Sequence, residues 1–97
     1  MKSQVTFNTK ANLFSQNSFG ILHQQENVEL EITIGFNNEN YGWFELFDIE
    51  TSGGNWYAEG GLWFDGKTLT DYDGVFSLPF EIVEKLEELG YNADYAK

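Results

Sequence analysis

The segment VELEITIGFNNENYGWFELFDIET, residues 28–51, decides the fold. Its first nine residues alternate apolar side chains with Glu, Thr and Gly, the period of two that is typical of a half-buried β-strand. The polar run NNEN at 37–40 predicts a turn. Residues 41–51 are again rich in apolar side chains, so we predict a second strand that pairs antiparallel with the first. The adjacent apolar residues Leu46 and Phe47 break its alternation, which predicts a nearby β-bulge or burial on both faces.

The sequence that follows extends the sheet. SGGN at 52–55 predicts a second hairpin turn, and WYAEGGLWFDG at 56–66 predicts a third strand. Alternation gives this strand two faces, with Trp56, Ala58, Leu62 and Phe64 on one and Tyr57, Glu59, Trp63 and Asp65 on the other. The glycine pair at 60–61 favours a bend or a close backbone approach. Asp65-Gly66 is a turn signal, and residues 67–74 predict a loop or a short fourth strand.

A helix is predicted to begin near residues 77–79, because Pro is favoured in a first turn and Ser77 can cap nearby. Gly90 predicts its end. Four residues form its apolar stripe, with Phe80 at the edge: Ile82, Val83, Leu86 and Leu89. In the short tail that follows, we expect the two tyrosines to fold back on the domain.

The N-terminal 27 residues have a weaker pattern. SQVTFNT at 3–9 is compatible with a short strand, and the polar run at 11–25 with a loop or a short helix. We therefore predict one acidic α+β domain over residues 1–97. Its expected architecture is a three- to four-stranded antiparallel meander with one C-terminal helix packed on one face.

Composition limits the function classes. The 97 residues carry a formal net charge of -11, from sixteen acids against five bases, and every base is a lysine. Direct binding to a nucleic acid or an anionic membrane needs a basic surface, which this composition excludes. The acidic balance favours a basic partner, or serves solubility alone. Disorder is not expected, since 41% of the residues are hydrophobic and 18% aromatic.

Cellular location follows from what the sequence lacks. The chain has no cysteine, which excludes disulfides and thiolate chemistry. Residues 1–10 contain no apolar signal-peptide core, and no apolar run approaches membrane-spanning length. We expect a cytosolic protein.

Carboxylates are densest in TDYDGVFSLPFEIVEKLEEL, residues 70–89. On the predicted helix, Glu81, Glu84 and Glu88 share one solvent face with Glu87 beside them, and only Lys85 offsets their charge. Like-charge pairs at this spacing each cost a few tenths of a kcal/mol (about 0.2–0.5). Two interpretations are open. The acids imitate the phosphates of a nucleic acid, or they are the solvated face of an acidic protein.

The segment GGNWYAEGGLWFDGKTLTDYDGVFSLPFEIVEKLEELGY, residues 53–91, resembles the C-terminal halves of small acidic proteins from phages and mobile elements. Among these, the chain is similar to anti-CRISPR proteins of the type I-F group. The resemblance implies an inhibitor that binds a crRNA-guided surveillance complex in the bacterial host cytosol. It implies that double-stranded DNA is mimicked on a basic surface formed by the large subunit and a neighbouring backbone subunit, with no reaction catalysed.

Our candidate site is accordingly a partner-binding surface. The phosphate-mimicking acids are predicted to be Asp65, Asp71, Asp73, Glu81, Glu84, Glu87 and Glu88, joined by Glu45, Glu50 and Glu59. On the outward face of the third strand, Tyr57 and Trp63 form an aromatic platform. Two alternatives stay open: a DNA mimic directed at another nuclease or repressor, and a small protein- or carbohydrate-binding module that uses the aromatic sheet face.

Enzymatic and metal chemistry are not predicted. His23 is the only histidine and has no nucleophile or carboxylate pattern near it in sequence. Asp71, Asp73 and Gly74 match a fragment of a calcium loop. However, Leu69 and Phe80 stand where that loop requires oxygen ligands. We expect no cofactor.

Overall fold

The computed structural model describes residues 3–16, 22–49, 55–75 and 77–97, and the side chains of all of these except 12–16, 22–27, 48 and 55–57. Five strands come first: β1 (Ser3–Gln16), β2 (Leu22–Phe36), β3 (Tyr41–Asp48), β4 (Asn55–Asp65) and β5 (Thr68–Tyr72). The helix α1 (Phe80–Glu88) and a short 3₁₀ helix (Asp94–Ala96) follow.

The strands form one antiparallel sheet in the order β1-β2-β3-β4-β5. Val28–Phe36 is the second half of β2, and the predicted turn at 37–40 joins it to β3, so the predicted central hairpin is confirmed. Its apolar residues Leu30, Ile32 and Ile34 are fully buried, while Glu31 is exposed. The alternation in the sequence thus correctly separated the two faces of this strand.

The predicted antiparallel meander with one helix is confirmed, but its sheet has five strands instead of three to four. Residues 3–16 and 22–36 pair as one long hairpin, where we expected a short strand followed by a loop or a short helix. This segment is a strand because its backbone pairs with β2. Its side-chain pattern is too weak to predict that pairing. Residues 68–72 form a true strand as well.

The predicted irregularity at Leu46 and Phe47 is confirmed, but its extra residue lies in the neighbouring strand. Leu46 pairs with Ala58 and Phe47 with Trp56, so Tyr57 of β4 is the bulged residue. On the other side, β3 pairs regularly with β2. Leu46 is buried and Phe47 lies on the opposite face. The predicted turn at 52–55 lies outside the described residues except for Asn55, the first residue of β4.

The helix packs its apolar stripe against one face of the sheet, which we call the helix face. Ile82, Val83 and Leu86 are buried in the same core as the inward residues of β2, β3 and β4. Leu89 was wrongly placed in this stripe. The helix ends at Glu88, so Leu89 is the C-cap residue and is 41% exposed. At the other end, the N-cap is Pro79, with no side-chain cap hydrogen bond.

Gly90 ends the helix as predicted, in the left-handed conformation with φ of 95°. Its N–H donates to Glu87 O at 3.0 Å and the Tyr91 N–H donates to Leu86 O at 2.9 Å, which is the Schellman pattern. This turn sends Tyr91 back onto the core, where its ring stacks on Phe36 with centroids 5.1 Å apart.

Beyond this turn, Asn92 closes the outer edge of β5. The Asn92 N–H donates to Lys67 O at 2.7 Å, and the Leu69 N–H donates to Asn92 O at 2.8 Å. Tyr95 touches Tyr72 edge-on and is 58% exposed, so it folds back only partly. Within the described part of the chain, no helix is long and apolar enough to cross a membrane.

The close approach predicted at the glycine pair is tested by Gly60→Ala. A Cβ at residue 60 would overlap the backbone carbonyl of Asp73 and come within 2.9 Å of Phe44 Cζ. We expect a loss of about 1–3 kcal/mol in the free energy of unfolding, measured by chemical denaturation. The control is Gly66→Asn, since Asn tolerates the φ of 62° there and nothing lies within 4 Å. It should cost no more than about 0.5 kcal/mol. Equal losses in the two variants would contradict the close approach.

Candidate docking surface

The side of the sheet opposite α1, which we call the open face, carries closely spaced carboxylates. Three of its glutamates lie on adjacent strands: Glu31 on β2, Glu45 on β3 and Glu59 on β4. Glu45 is directly opposite Glu59 in the β3–β4 register. Glu31 is diagonal to Glu45, because Glu31 pairs with Phe47 and Glu45 with Thr33. We call these three residues the glutamate cluster.

The cluster has no ion pair among the described residues. On the open face, the described strands offer one lysine, Lys10, and its Nζ lies 3.8 Å from Glu29 Oε1 at the β1 side of the sheet. Lys67 lies over the Tyr91 ring, 4.5 Å from its centroid. Lys85 and Lys97 bind acids on the helix side of the molecule. Each described lysine is therefore engaged elsewhere.

The charge density of the cluster approaches that of a nucleic acid strand. Directly opposite residues have Cβ atoms about 4.5–5.5 Å apart, and three adjacent strands span about 10 Å. One strand of duplex DNA carries a charge about every 3.4 Å of helix axis, or about three charges in the same length. Like charges directly opposite one another destabilise a sheet, so the fold accepts a local cost here.

Aromatic rings flank the glutamates on the same face. The Trp43 indole occupies the space above Gly35, its cross-strand partner, and the Trp63 ring lies above Gly61. Tyr41 packs edge-on against Trp63, with centroids 5.4 Å apart and planes at 71°. Since the two glycines have no side chains, both indoles lie close to the sheet, and the surface around the carboxylates stays low and broad.

Glu45 is at the centre of this arrangement. One shallow depression is lined by Tyr41, Trp43, Glu45 and Glu59, and a second by Glu31, Thr33, Glu45 and Phe47. The predicted site left out Trp43 and named Glu45 only after the acids of residues 65–88. The alternation of β3 could have found both, because Phe44 and Leu46 are fully buried and residues 43 and 45 therefore point the other way.

The helix acids lie on the opposite side of the molecule and are partly neutralised. Lys85 Nζ is 2.7 Å from Glu88 Oε2, and Lys97 Nζ is 2.7 Å from Glu87 Oε2. The expectation that only Lys85 offsets this charge was wrong, because the 3₁₀ turn brings Lys97 back against α1. Glu81 and Glu84 have no ion pair with the described lysines. The structure therefore divides the predicted acids between two faces.

The acids of β5 and its turns have other surroundings. Asp73 Oδ1 accepts the Gly61 N–H at 2.6 Å, so this carboxylate ties β4 to the residues after β5. Asp71 Oδ1 accepts the Tyr72 N–H at 2.8 Å, and Asp71 pairs with Trp63 at the margin of the open face. Asp65 is exposed at the end of β4. Glu50 and the side chain of Tyr57 lie outside the described residues.

Within the described ranges, no three potential ligands among Asp, Glu and His are grouped closely enough to hold a metal ion. Comparison with known proteins gives no match: no family model, curated protein or solved structure is similar enough to this chain to assign it to a family.

Repulsion within the cluster is tested by Glu45→Gln. Removing this charge removes its electrostatic repulsion with Glu59, so we expect the free energy of unfolding to rise by about 0.2–1 kcal/mol at low ionic strength. High salt should shrink the gain by screening. Urea titrations at two salt concentrations measure both effects. Glu29→Gln is the control, since it removes a paired charge and should not stabilise. A loss of stability in Glu45→Gln would mean that this carboxylate is favourably engaged in the fold.

The Lys97 contacts give a pH-dependent prediction. The hydrogen bonds that the Lys97 ammonium donates to Glu87, and then to Asp94, raise the pKa of Lys97 above its usual value of 10.5. A raised pKa means that the ammonium stabilises the fold fully below 10.5 and loses this effect as pH rises through the folded pKa. Lys97→Met should therefore unfold at a lower temperature than wild type at pH 7. The difference should disappear in strongly alkaline buffer; a constant difference would contradict the pairing.

Proposed function

We propose that this protein is a stoichiometric inhibitor that binds the basic nucleic-acid-binding surface of another protein through its open face, taking the place of DNA. The observation that carries the proposal is the glutamate cluster, in which like charges lie on three adjacent strands with no lysine among them. Basic side chains would bind these carboxylates as they bind phosphates, through charge-assisted hydrogen bonds. The protein catalyses no reaction in this scheme.

Solubility alone is a weaker explanation of this arrangement. A surface serving only solubility mixes charges of both signs and avoids stacking like charges on adjacent strands. Here five lysines are available, yet none lies on β2, β3 or β4, and Lys10 of β1, which is diagonal to Glu31, pairs with Glu29 instead. Repulsion between the clustered acids lowers the stability of the fold. Contact with a basic partner would offset that repulsion.

The aromatic rings favour a protein partner. Trp and Tyr are typical anchors of protein interfaces, where they bury large areas with little loss of side-chain freedom. Tyr41 and Trp43 are half-buried and line one depression with Glu45 and Glu59, and the half-buried Trp63 packs against Tyr41. A neutral glycan would gain from the rings but not from the carboxylates, so the combination supports a basic protein surface over a carbohydrate.

The resemblance of residues 53–91 to type I-F anti-CRISPR proteins supplies the particular target that we propose. It is the crRNA-guided surveillance complex of a bacterial host, at the surface of its large subunit and neighbouring backbone subunit. Such complexes hold nucleic acid in channels lined by Lys and Arg, against which a carboxylate surface can dock. The proposed location is the host cytosol. Other nucleases or repressors with a basic channel are the alternative targets.

The open face is a better docking surface than α1. Two of the four helix glutamates already bind lysines, and a partner would have to break those pairs. The open face instead combines unpaired carboxylates with aromatic side chains in one continuous region. Glu81 and Glu84 remain as a separate, smaller group on the far side of the sheet.

A competition assay tests the proposal. Purified type I-F complex, labelled target duplex and the protein are mixed, and the inhibitor concentration that displaces half of the duplex is measured. Glu45→Gln combined with Glu59→Gln should raise this concentration at least about tenfold, equivalent to about 1.4 kcal/mol. The matched control, Glu81→Gln combined with Glu84→Gln, removes the same charge from the helix side and should change it little.

Different results point to different conclusions. Failure of the wild-type protein to displace duplex from this complex, while it displaces DNA from another nuclease or repressor, would change the target but keep the mechanism. Inhibition that survives loss of Glu45 and Glu59 charges would eliminate the open face as the docking surface. Binding that is insensitive to ionic strength would favour a module that relies on Trp43 and Trp63, because screening weakens charge-dominated contacts.

A further inference from the structure

The outer edge of β1 is the open edge of the sheet. β1 pairs with β2 on one side, and among the described residues no strand pairs with its other side. At the far end of the sheet, Asn92 covers the start of β5 with two backbone hydrogen bonds. A strand of 14 residues with one side unpaired exposes a long row of backbone donors and acceptors.

β1 is also the strand that carries no carboxylate. All sixteen acids of the chain fall at or after Glu26, and β1 contains a single charged residue, Lys10. Two copies of a chain with a net charge of -11 repel each other at most approaches. An approach edge to edge through β1 brings together two strands that carry no carboxylate, which lowers the electrostatic repulsion between the copies.

The two faces of β1 are complementary to those of a second β1. Gln4, Thr6 and Asn8 are exposed on the open face, while Val5 and Phe7 are half-buried against the core on the helix face. Antiparallel pairing about a two-fold axis perpendicular to the sheet keeps each face on the same side. Polar side chains would then meet polar ones, and the exposed parts of Val5 and Phe7 would be covered by their counterparts.

We propose that two copies of this protein associate through antiparallel pairing of their β1 strands, forming one continuous ten-stranded sheet. The partner is a second copy because the edge is self-complementary in side-chain pattern and carries no carboxylate. The inference is independent of the proposed function, but it has a geometric consequence for it. Two glutamate clusters would lie on the same side of the joint sheet, with their Glu45 strands about 24 Å apart, which is five strand spacings.

Solution mass tests the association. Sedimentation or light scattering of the wild-type protein should give about 22 kDa, twice the 11.1 kDa of one chain. Gln4→Glu combined with Asn8→Glu places like charges along the proposed seam and should raise the dimer dissociation constant about tenfold or more at low salt. The matched control adds two charges elsewhere, as Asn40→Glu with Ser77→Glu, and should leave the dimer intact. Circular dichroism confirms that each variant is folded.

A charge-swap experiment makes the test specific for the seam. Gln4→Lys combined with Asn8→Lys should also weaken self-association, and mixing this variant with the acidic one should restore a dimer containing one copy of each. Hydrogen exchange followed by NMR gives a second readout. In the dimer consecutive amides of residues 4–10 should be protected, whereas a free edge leaves every second amide exposed.

Three results would overturn the proposal. The first is a wild-type protein that stays at the mass of one chain up to high concentration. The second is a dimer that the seam variants and the control weaken equally, which would place the contact on another surface. The third is a dimer in which alternate amides of β1 exchange rapidly.

Discussion

The antiparallel register of β2, β3 and β4 is the constraint on which the rest of the structure depends. Once Ile34 pairs with Phe44 and Ile32 with Leu46, alternation assigns every neighbouring residue to one face or the other. A slip of one residue would turn Glu31 and Glu45 into the core and expose the apolar set. Burial of the helix face thus fixes where the carboxylates of the open face stand.

The same register explains how a small protein accommodates large aromatic residues outside its core. Gly35, Trp43 and Gly61 lie in one row across the sheet. With a glycine on either side, the Trp43 indole can lie along the sheet surface over Gly35, and the Trp63 ring lies over Gly61. Their area is half-buried without a covering element, and the glutamates beside them remain accessible to a partner.

The distribution of lysines is as informative as that of the acids. Lys85 and Lys97 form ion pairs with Glu88 and Glu87 on the helix side. A Schellman turn and a 3₁₀ turn there bring the end of the chain back to α1. Lys10 lies at the edge of the sheet with Glu29. The glutamate cluster therefore lies on β2, β3 and β4, three strands of the sheet whose sequences contain no lysine. This asymmetry, more than the net charge, makes the surface a candidate for a basic partner.

The sequence by itself determined the central hairpin, the helix and its end. Alternation at residues 28–36, the apolar spacing of Ile82, Val83 and Leu86, and Gly90 are local signals, and local backbone geometry converts them directly into structure. The acidic composition also led us to expect a basic partner, which stays a prediction. The N-terminal hairpin was not determined in this way, because its strands pair through the backbone, which leaves little trace in polar side chains. Only the tertiary structure decided which acids share a surface: Glu31, Glu45 and Glu59 are far apart in the chain and meet through strand register, while Glu87 and Glu88, adjacent in sequence, are held by two lysines from different turns.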